Sequence, residues 1–314
     1  MRALITGAAG FIGSHLSERL LSQQWQVIGL DNFDPFYDSE IKKRNLATSH
    51  AHPNFQFLEG DIRNTATVAE ACTARPDVII HLAARAGVRP SIADPMAYND
   101  FNINGTMVML EAARTCGVPK FVFASSSSVY GNNMKVPFSE DDPVDWPISP
   151  YAATKKAGEL LCHTYHHLYG IDMTCLRFFT VYGPRQRPDL AIHKFARLIL
   201  KNEPITIFGD GSMQRDFTFI GDIIDGINAA IERCQGYHIY NLGESQPVTV
   251  KKLIEELEQA LGKTAICQRE PEQPGDVRQT YADISRARRE LDYRPHTDRR
   301  EGLKAFADWI TTAS

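Results

Sequence analysis

The run Arg2 to Thr6 is followed at once by Gly7-Ala8-Ala9-Gly10-Phe11-Ile12-Gly13. A short, mainly apolar run stopped by glycine reads as a strand, and Ile12, Leu16 and Leu20 then recur at helical spacing. A chain that leaves a strand and enters a helix within so few residues needs positions where no side chain obstructs the turn. The helix that follows offers unpaired N–H groups and a partial positive charge to an anion, and bare glycine backbone lets that anion come close. Gly7, Gly10 and Gly13, with Phe11 and Ile12 among them, are therefore candidates for gripping the pyrophosphate of a dinucleotide.

The pattern continues. Gln26 to Leu30, Phe55 to Leu58, Val78 to Ala83, Phe121 to Ser125 and Met173 to Phe178 read as further strands, with helix-like segments near 11–22, 64–73 and 96–115. Alternation of this kind predicts an α/β fold, a doubly wound parallel Rossmann-type sheet. After Gly183-Pro184 the pattern loosens into mixed pieces, including Pro204 to Phe208 and Tyr237 to Asn241. The expected division is a dinucleotide-binding domain over 1–180 and a smaller mixed α/β substrate lobe mainly over 181–314, with some late segments returning to the main sheet.

A length of 314 residues fits two such units, and 43% hydrophobic residues suffice for a sizeable core. A net charge of −4 without blocks of like charge argues against nucleic acid as a partner. No apolar run reaches a membrane-spanning length of roughly 18 residues, and the first residues read as structured chain, so no membrane partner and a cytoplasmic location are expected. The six cysteines form no CxxC pair and read as ordinary buried thiols. His163 and His167 have the spacing of a metal pair, but no third ligand accompanies them, so no metal is expected.

Asp31 closes the second strand 18 residues after Gly13, where a carboxylate accepts hydrogen bonds from an adenosine ribose or caps the strand end. A carboxylate there repels a 2′-phosphate, and Asn32 and Phe33 supply no cation to receive one, which favours NAD over NADP. Asp61 and Ile62 suit the adenine edge, and Leu82, Ala83 and Ala84 follow the fourth strand toward the cofactor phosphates.

Tyr151 and Lys155 lie four residues apart on a helix that Pro150 can open, and Ser125-Ser126-Ser127-Ser128-Val129-Tyr130-Gly131 ends the fifth strand. A parallel sheet collects its ligands at the carboxyl ends of the strands, so phenol, ammonium and hydroxyl can converge. For Tyr151 to take an alcohol proton near neutral pH its pKa must fall about three units, roughly 4 kcal/mol. Lys155 and a positive nicotinamide ring favour the phenolate, and Ser126 steadies the reacting oxygen.

These motifs, with the total length, resemble the extended short-chain dehydrogenase/reductase family, and within it the nucleotide-sugar 4-epimerases, over nearly the whole chain. Asp31-Asn32-Phe33 with Tyr37 to Leu46, Ala86 to Ser91, and Leu176 to Arg185 are most similar to the members that act on UDP-glucuronate. The resemblance implies interconversion of UDP-glucuronate and UDP-galacturonate: C4 is oxidised to a 4-keto sugar and re-reduced from the opposite face, with NAD tightly bound and not consumed. It adds Asn102 and Phe178 to the cofactor contacts, and Gly87, Val88 and Arg89 to the substrate contacts, with Arg89 facing the sugar or phosphate, or else solvent.

Similar dehydratases carry an Asp-Glu pair where Ser127 and Ser128 stand, and similar decarboxylases keep a Glu at the second position. This chain departs from both, which favours epimerisation. Ser127, Ser128 and Thr180 are candidates for holding the sugar carboxylate; Arg185 is a second candidate, or part of a structural ion pair. In Gln214-Arg215-Asp216-Phe217 the resemblance assigns Arg215 to the diphosphate. Asp276 and Arg278 match a segment that closes over ribose and phosphates, although Gln273 stands where the galactose enzymes have Arg, which leaves the role of Arg278 open.

The family also implies a homodimer through two helices per subunit, consistent with surplus apolar residues at Leu160, Leu161, Tyr165 and Leu168. A 4-epimerase of another UDP-sugar, such as an N-acetylhexosamine or its uronic acid, is the alternative among enzymes. A dinucleotide-binding scaffold without chemistry is disfavoured because both Tyr151 and Lys155 are present.

Overall fold

A computed structural model describes residues 1–271 and 279–312 of the chain. Its central element is a seven-stranded parallel sheet in the order β3-β2-β1-β4-β5-β6-β11, formed by β1 (Arg2–Thr6), β2 (Gln26–Asp31), β3 (Phe55–Glu59), β4 (Val78–His81), β5 (Lys120–Ser126), β6 (Asp172–Phe178) and β11 (Tyr237–Leu242). The inner strands are buried on both faces, which is why they read as near-continuous apolar runs. Leu4 of β1 pairs with Ile28 on one side and Ile79 on the other. From β1 the chain winds outward through β2 and β3, then reverses to β4 beside β1. That reversal is the switch point at which sheets of this type bind ligands.

By internal contacts the chain forms two compact units. Of the described residues, the first comprises 1–132, 142–177 and 226–240; the second comprises 133–141, 178–225, 241–271 and 279–312. In the first, Leu4, Ile28, Ile79, Phe121 and Met173 of the sheet pack with Met109 and Leu110 of the helix Gly105–Cys116 and with Cys162 of the helix Pro150–Tyr169. The long helix starts on the Ser149 hydroxyl, which accepts from Ala152 N–H at 3.1 Å, with Pro150 in the first turn, and it stops at the left-handed Gly170. β6 would be an exposed edge were β11 not paired to it; Met173 N–H donates to the Gly236 carbonyl at 2.7 Å at the start of that ladder.

The second unit has its own core, in which Tyr182, Ile205, Phe217, Leu253, Leu257, Leu303 and Phe306 meet. There β7 (Thr180–Tyr182) pairs with β10 (Phe217–Phe219), β8 (Pro204–Phe208) with β13 (Ile266–Glu270), and β9 (Gln214–Arg215) with β12 (Val248–Thr249). The carboxylate of Asp216, between β9 and β10, accepts the N–H groups of Glu244, Ser245 and Ala282. Burial pushes its pKa up to about 6.

Four expectations need correction. β4 ends at His81, two residues early: Leu82 N–H makes the last ladder bond, to the Thr6 carbonyl, and Ala83 N–H meets the Thr6 hydroxyl in place of a backbone acceptor. The helix expected over 96–115 is instead Pro95–Asn99, a π-helical turn Asp100–Asn104, and Gly105–Cys116. Among the cysteines, Cys116 is half-buried and Cys267 exposed. On the long helix Tyr165 is core and Leu161 packs against it, so of the four apolar residues only Leu160 and Leu168 are exposed. No helix among the described residues is long and apolar enough to cross a membrane.

Candidate active site

At the switch point the chain passes from β1 into the helix Phe11–Ser22. Gly7 has φ +70°, and a Cβ there would lie 2.9 Å from the Ala83 nitrogen; one on Gly13 would lie 2.1 Å from the Gly7 oxygen. Both positions exclude any side chain. Gly10 begins the helix without a side-chain cap, so the first-turn N–H groups border a cradle of bare backbone. This arrangement fits a dinucleotide pyrophosphate.

The loop is braced from two sides. The Asp31 carboxylate accepts Ala9 N–H at 3.0 Å and Phe33 N–H at 2.9 Å, and the Asn45 amide donates to the Ala9 carbonyl at 3.1 Å. Burial raises the Asp31 pKa, with Lys42 and the two backbone donors opposing. Asn45 lies in the Tyr37 to Leu46 segment that carries the resemblance, but spacing gives it no role of its own, because that role depends on a helix folding back over the loop 36 residues away. Asn32 donates to Asp61 at 2.9 Å, and Arg63 grips the same carboxylate through Nε and Nη2 at 2.9 and 2.7 Å. The Arg63 guanidinium holds the Asp61 carboxyl down to about 2. Ile62 is buried against Gly105.

A buried polar network holds the segment after β4. Thr106 Oγ1 donates to the Asn102 carbonyl at 2.6 Å, so it receives from His81 Nε2 at 3.1 Å. His81 Nδ1 is then the acceptor and takes the Thr6 hydroxyl at 2.7 Å, while Ala83 N–H donates to that same hydroxyl oxygen at 3.1 Å. The tautomer is assigned by these partners. Burial, with Lys155 adding to it, lowers the His81 pKa to about 3, so the ring is neutral. Asn102, in the π-turn, accepts Arg85 N–H at 2.8 Å and donates to the Arg85 carbonyl at 2.9 Å and to Thr154 at 3.0 Å. Residues 82–85 are thereby tied both to β1 and to the helix bearing Tyr151. Ala84 is half-buried in this segment, and Phe178, also half-buried, ends β6.

Lys155 is buried, its Nζ donating to the Ala124 carbonyl at 2.7 Å and lying 5.1 Å from the Phe123 ring centroid. No carboxylate among the described residues pairs with it. Burial lowers its pKa to about 8. Tyr151, one turn earlier, is half-buried and meets the ring of Tyr98 edge-on at 6.1 Å. Tyr98 is in turn fixed by its hydroxyl on the Ala86 carbonyl at 3.0 Å. Ser126 ends β5 two residues beyond Ala124. Its Oγ accepts Ser128 N–H at 3.2 Å and donates to Ser128 Oγ at 3.1 Å, starting the 3₁₀ turn Ser127–Tyr130. A buried cation with no carboxylate partner among the described residues, one helical turn from a phenol, is an arrangement that stabilises a phenolate.

The other candidates are placed as follows. Gly87, with φ +118°, precedes the helix Val88–Ala93; Arg89 is exposed on that helix and Val88 half-buried. In the second unit Thr180 opens β7, with its N–H on the Asp216 carbonyl at 3.1 Å. Arg185 is half-buried at φ +66°, and Arg215 donates through Nη1 to the Gln214 carbonyl at 2.8 Å. Asp276 and Arg278 lie outside the described residues. Sequence spacing also did not anticipate Asp222, Asp225 and His296, whose ligand-type atoms lie within 4.8 Å of one another. Asp222 there accepts the N–H groups of His296 and Thr297, as a structural cap does.

A sequence model of the family described as GDP-mannose 4,6 dehydratase matches residues 4–306. The UDP-glucuronate 4-epimerase of Thermodesulfobacterium geofontis (strain OPF15) is 46% identical over 310 residues, 98% of this chain and 95% of that one. The crystal structure of UDP-glucuronic acid 4-epimerase from Bacillus cereus in complex with UDP-glucuronic acid and NAD is similar with a TM-score of 0.95 at 41% identity, covering 100% of both chains. UDP-glucose 4-epimerase with UDP-glucose from Thermotoga maritima is similar with a TM-score of 0.91 at 33% identity, covering 100% of this chain and 99% of that one.

Proposed function

This chain belongs to the extended short-chain dehydrogenase/reductase family of nucleotide-sugar epimerases and dehydratases, and we propose that it is an NAD-dependent isomerase that interconverts UDP-glucuronate and UDP-galacturonate. The observation that carries the chemistry is the buried Lys155 ammonium, without a carboxylate partner among the described residues, one turn from Tyr151. The observation that carries the substrate is similarity to relatives named for UDP-glucuronate at 41–46% identity over essentially full length.

The NAD contacts are assigned mainly to residues of the first unit, with Phe178 added by the resemblance. Gly7, Gly10, Phe11, Ile12 and Gly13 would hold the pyrophosphate, Asp31 and Asn32 the adenosine ribose, Asp61 and Ile62 the adenine edge, and residues 82–84, Asn102 and Phe178 the remainder. NAD, when bound, supplies the acceptor and donor of the C4 hydride and is regenerated in each turnover. Tyr151, as phenolate, takes the C4 hydroxyl proton and returns it when the product alcohol forms. Lys155 holds the phenolate ionised, and Ser126 hydrogen-bonds the C4 oxygen while its proton moves.

With a uronate substrate the 4-keto sugar is a β-keto acid, which loses carbon dioxide when its carboxylate can align with the carbonyl. We assign Ser127, Ser128 and Thr180 to holding that carboxylate, with Arg185 as a second contact, since neutral hydroxyls bind it without the acid–base groups that drive elimination. Gly87, Val88 and Arg89 are assigned to the sugar or phosphate, Arg215 to the diphosphate and Asp276 to the ribose and phosphates, with the role of Arg278 in that segment left open. The exposed Leu160 and Leu168 on the long helix favour a homodimer, and six cysteines without a disulfide among the described residues suit the cytoplasm.

The experiment is direct: purified protein is mixed with UDP-glucuronate and the products are resolved by anion-exchange chromatography and proton NMR. UDP-galacturonate without added NAD is the expected product. No conversion, with turnover of a UDP-N-acetylhexosamine instead, overturns the substrate assignment.

A further inference from the structure

Glu159 lies one turn beyond Lys155 on the long helix and is 1% exposed. Its Oε1 accepts the Ser125 hydroxyl at 2.7 Å and Arg177 Nε at 2.8 Å, and its Oε2 accepts Arg177 Nη2 at 2.9 Å. Arg177, on β6 and also 1% exposed, donates Nη1 to the Tyr130 hydroxyl at 2.9 Å, with its guanidinium over the Tyr130 ring. Burial alone would raise the Glu159 carboxyl, but Arg177 and Ser125 outweigh it and hold it below the ordinary range.

A buried ion pair is a poor device for stability, because desolvation cancels most of the attraction and apolar residues of like volume do as well. What this pair joins is more informative. Ser125 immediately precedes Ser126. Tyr130 ends the 3₁₀ turn that carries Ser127 and Ser128. Lys155 already anchors the helix to Ala124, so Glu159 on Ser125 makes a second anchor to the adjacent residue of the same strand. Two anchors one helical turn apart prevent both sliding and rotation of the helix against β5.

We propose that Glu159 and Arg177 are positioning residues that set the register of the helix bearing Tyr151 and Lys155 against the serine turn bearing Ser126, Ser127 and Ser128. The proposal rests on the reading of Tyr151, Lys155 and Ser126 as the reacting groups. The pair touches none of them and acts through Ser125, Tyr130 and the helix. A displacement of about 1 Å between reacting groups costs on the order of a hundredfold in rate, so a register device affects turnover before it affects binding.

The test is the double variant Glu159→Leu/Arg177→Met, which removes both charges together and leaves none buried alone. Its melting temperature is expected to stay near that of the unaltered protein, while kcat falls roughly tenfold or more and KM for UDP-glucuronate changes less than about twofold. The acid limb of the kcat–pH profile is expected to move upward, because a shifted helix supports the phenolate less. A double variant with unaltered kcat and pH profile overturns the proposal. If that protein does not fold, Ser125→Ala and Tyr130→Phe, which leave the ion pair in place, decide instead: each is expected to lower kcat several-fold with the same shift of the acid limb, and unaltered values in both overturn the proposal. Tyr151→Phe measured in parallel separates the two levels. Full activity there defeats the reading of the site itself, whereas its loss beside unaltered positioning variants defeats only the register idea.

Discussion

The ammonium of Lys155 donates to the carbonyl oxygen of Ala124 at 2.7 Å, two residues before Ser126 on the same strand. The contact fixes the cation under the end of β5 and leaves its charge uncompensated by any carboxylate among the described residues. Such a charge is costly unless something anionic shares the site, and the Tyr151 phenolate is the group in reach along the helix.

Burial sets the Lys155 pKa at about 8, so the cation is present below that pH and is lost as pH rises through it. The kcat–pH profile is therefore expected to fall on its alkaline side. Lys155→Arg keeps the charge to far higher pH and should move that limb upward, even at a lower maximum. Lys155→Met is expected to lose on the order of 10²- to 10⁴-fold in kcat at neutral pH. An alkaline limb that stays in place in Lys155→Arg would show that another group titrates.

Gly7→Ala places a methyl group 2.9 Å from the Ala83 nitrogen at a φ of +70°. The left-handed conformation alone costs roughly 1–2 kcal/mol, and the loop must also move away from Ala83. A lower melting temperature and at least about a tenfold loss of NAD affinity, read by calorimetric titration of cofactor-stripped protein, are expected. Unchanged affinity would separate the loop from the pyrophosphate.

Asp31 braces Ala9 and Phe33, and the proposed function also gives its charge the task of discriminating between cofactors. Asp31→Asn removes the charge and keeps an acceptor. The NAD-to-NADP affinity ratio of stripped protein is expected to fall several-fold, because the repulsion of a 2′-phosphate is gone. A ratio that does not change would leave Asp31 as a loop brace only.

Removing the hydroxyls assigned to the carboxylate should change the products rather than only the rate. Ser128→Ala and Thr180→Ala are expected to lower kcat/KM for UDP-glucuronate by roughly tenfold each, about 1.4 kcal/mol per lost contact. Each is also expected to release carbon dioxide with a UDP-pentose product. Full activity with no carbon dioxide in either variant excludes the assignment.

Much of the sheet was readable because strands buried on both faces leave apolar runs, and because the glycines after Thr6 obey a steric demand visible in one short segment. The serine turn and the Tyr151–Lys155 spacing were readable for the same reason: their geometry is local. The π-turn at Asp100–Asn104 was not, since it accompanies an Asn102 side chain clamped to Arg85, 17 residues away. Nothing in the spacing marks Glu159 and Arg177 as partners, because the pair forms only when β6 brings the arginine beneath the helix. His81 likewise gives no sign of being a neutral, fully bonded ring until Thr6 and Thr106 close around it.

The central claim is that Tyr151 is the base that ionises the sugar hydroxyl. Tyr151→Phe keeps the ring against Tyr98 and removes only the phenol oxygen, so the folded protein should still bind NAD and UDP-glucuronate. With this variant, conversion of UDP-glucuronate to UDP-galacturonate followed by proton NMR is expected to slow by about a hundredfold or more, and inversion at the unaltered rate contradicts the claim.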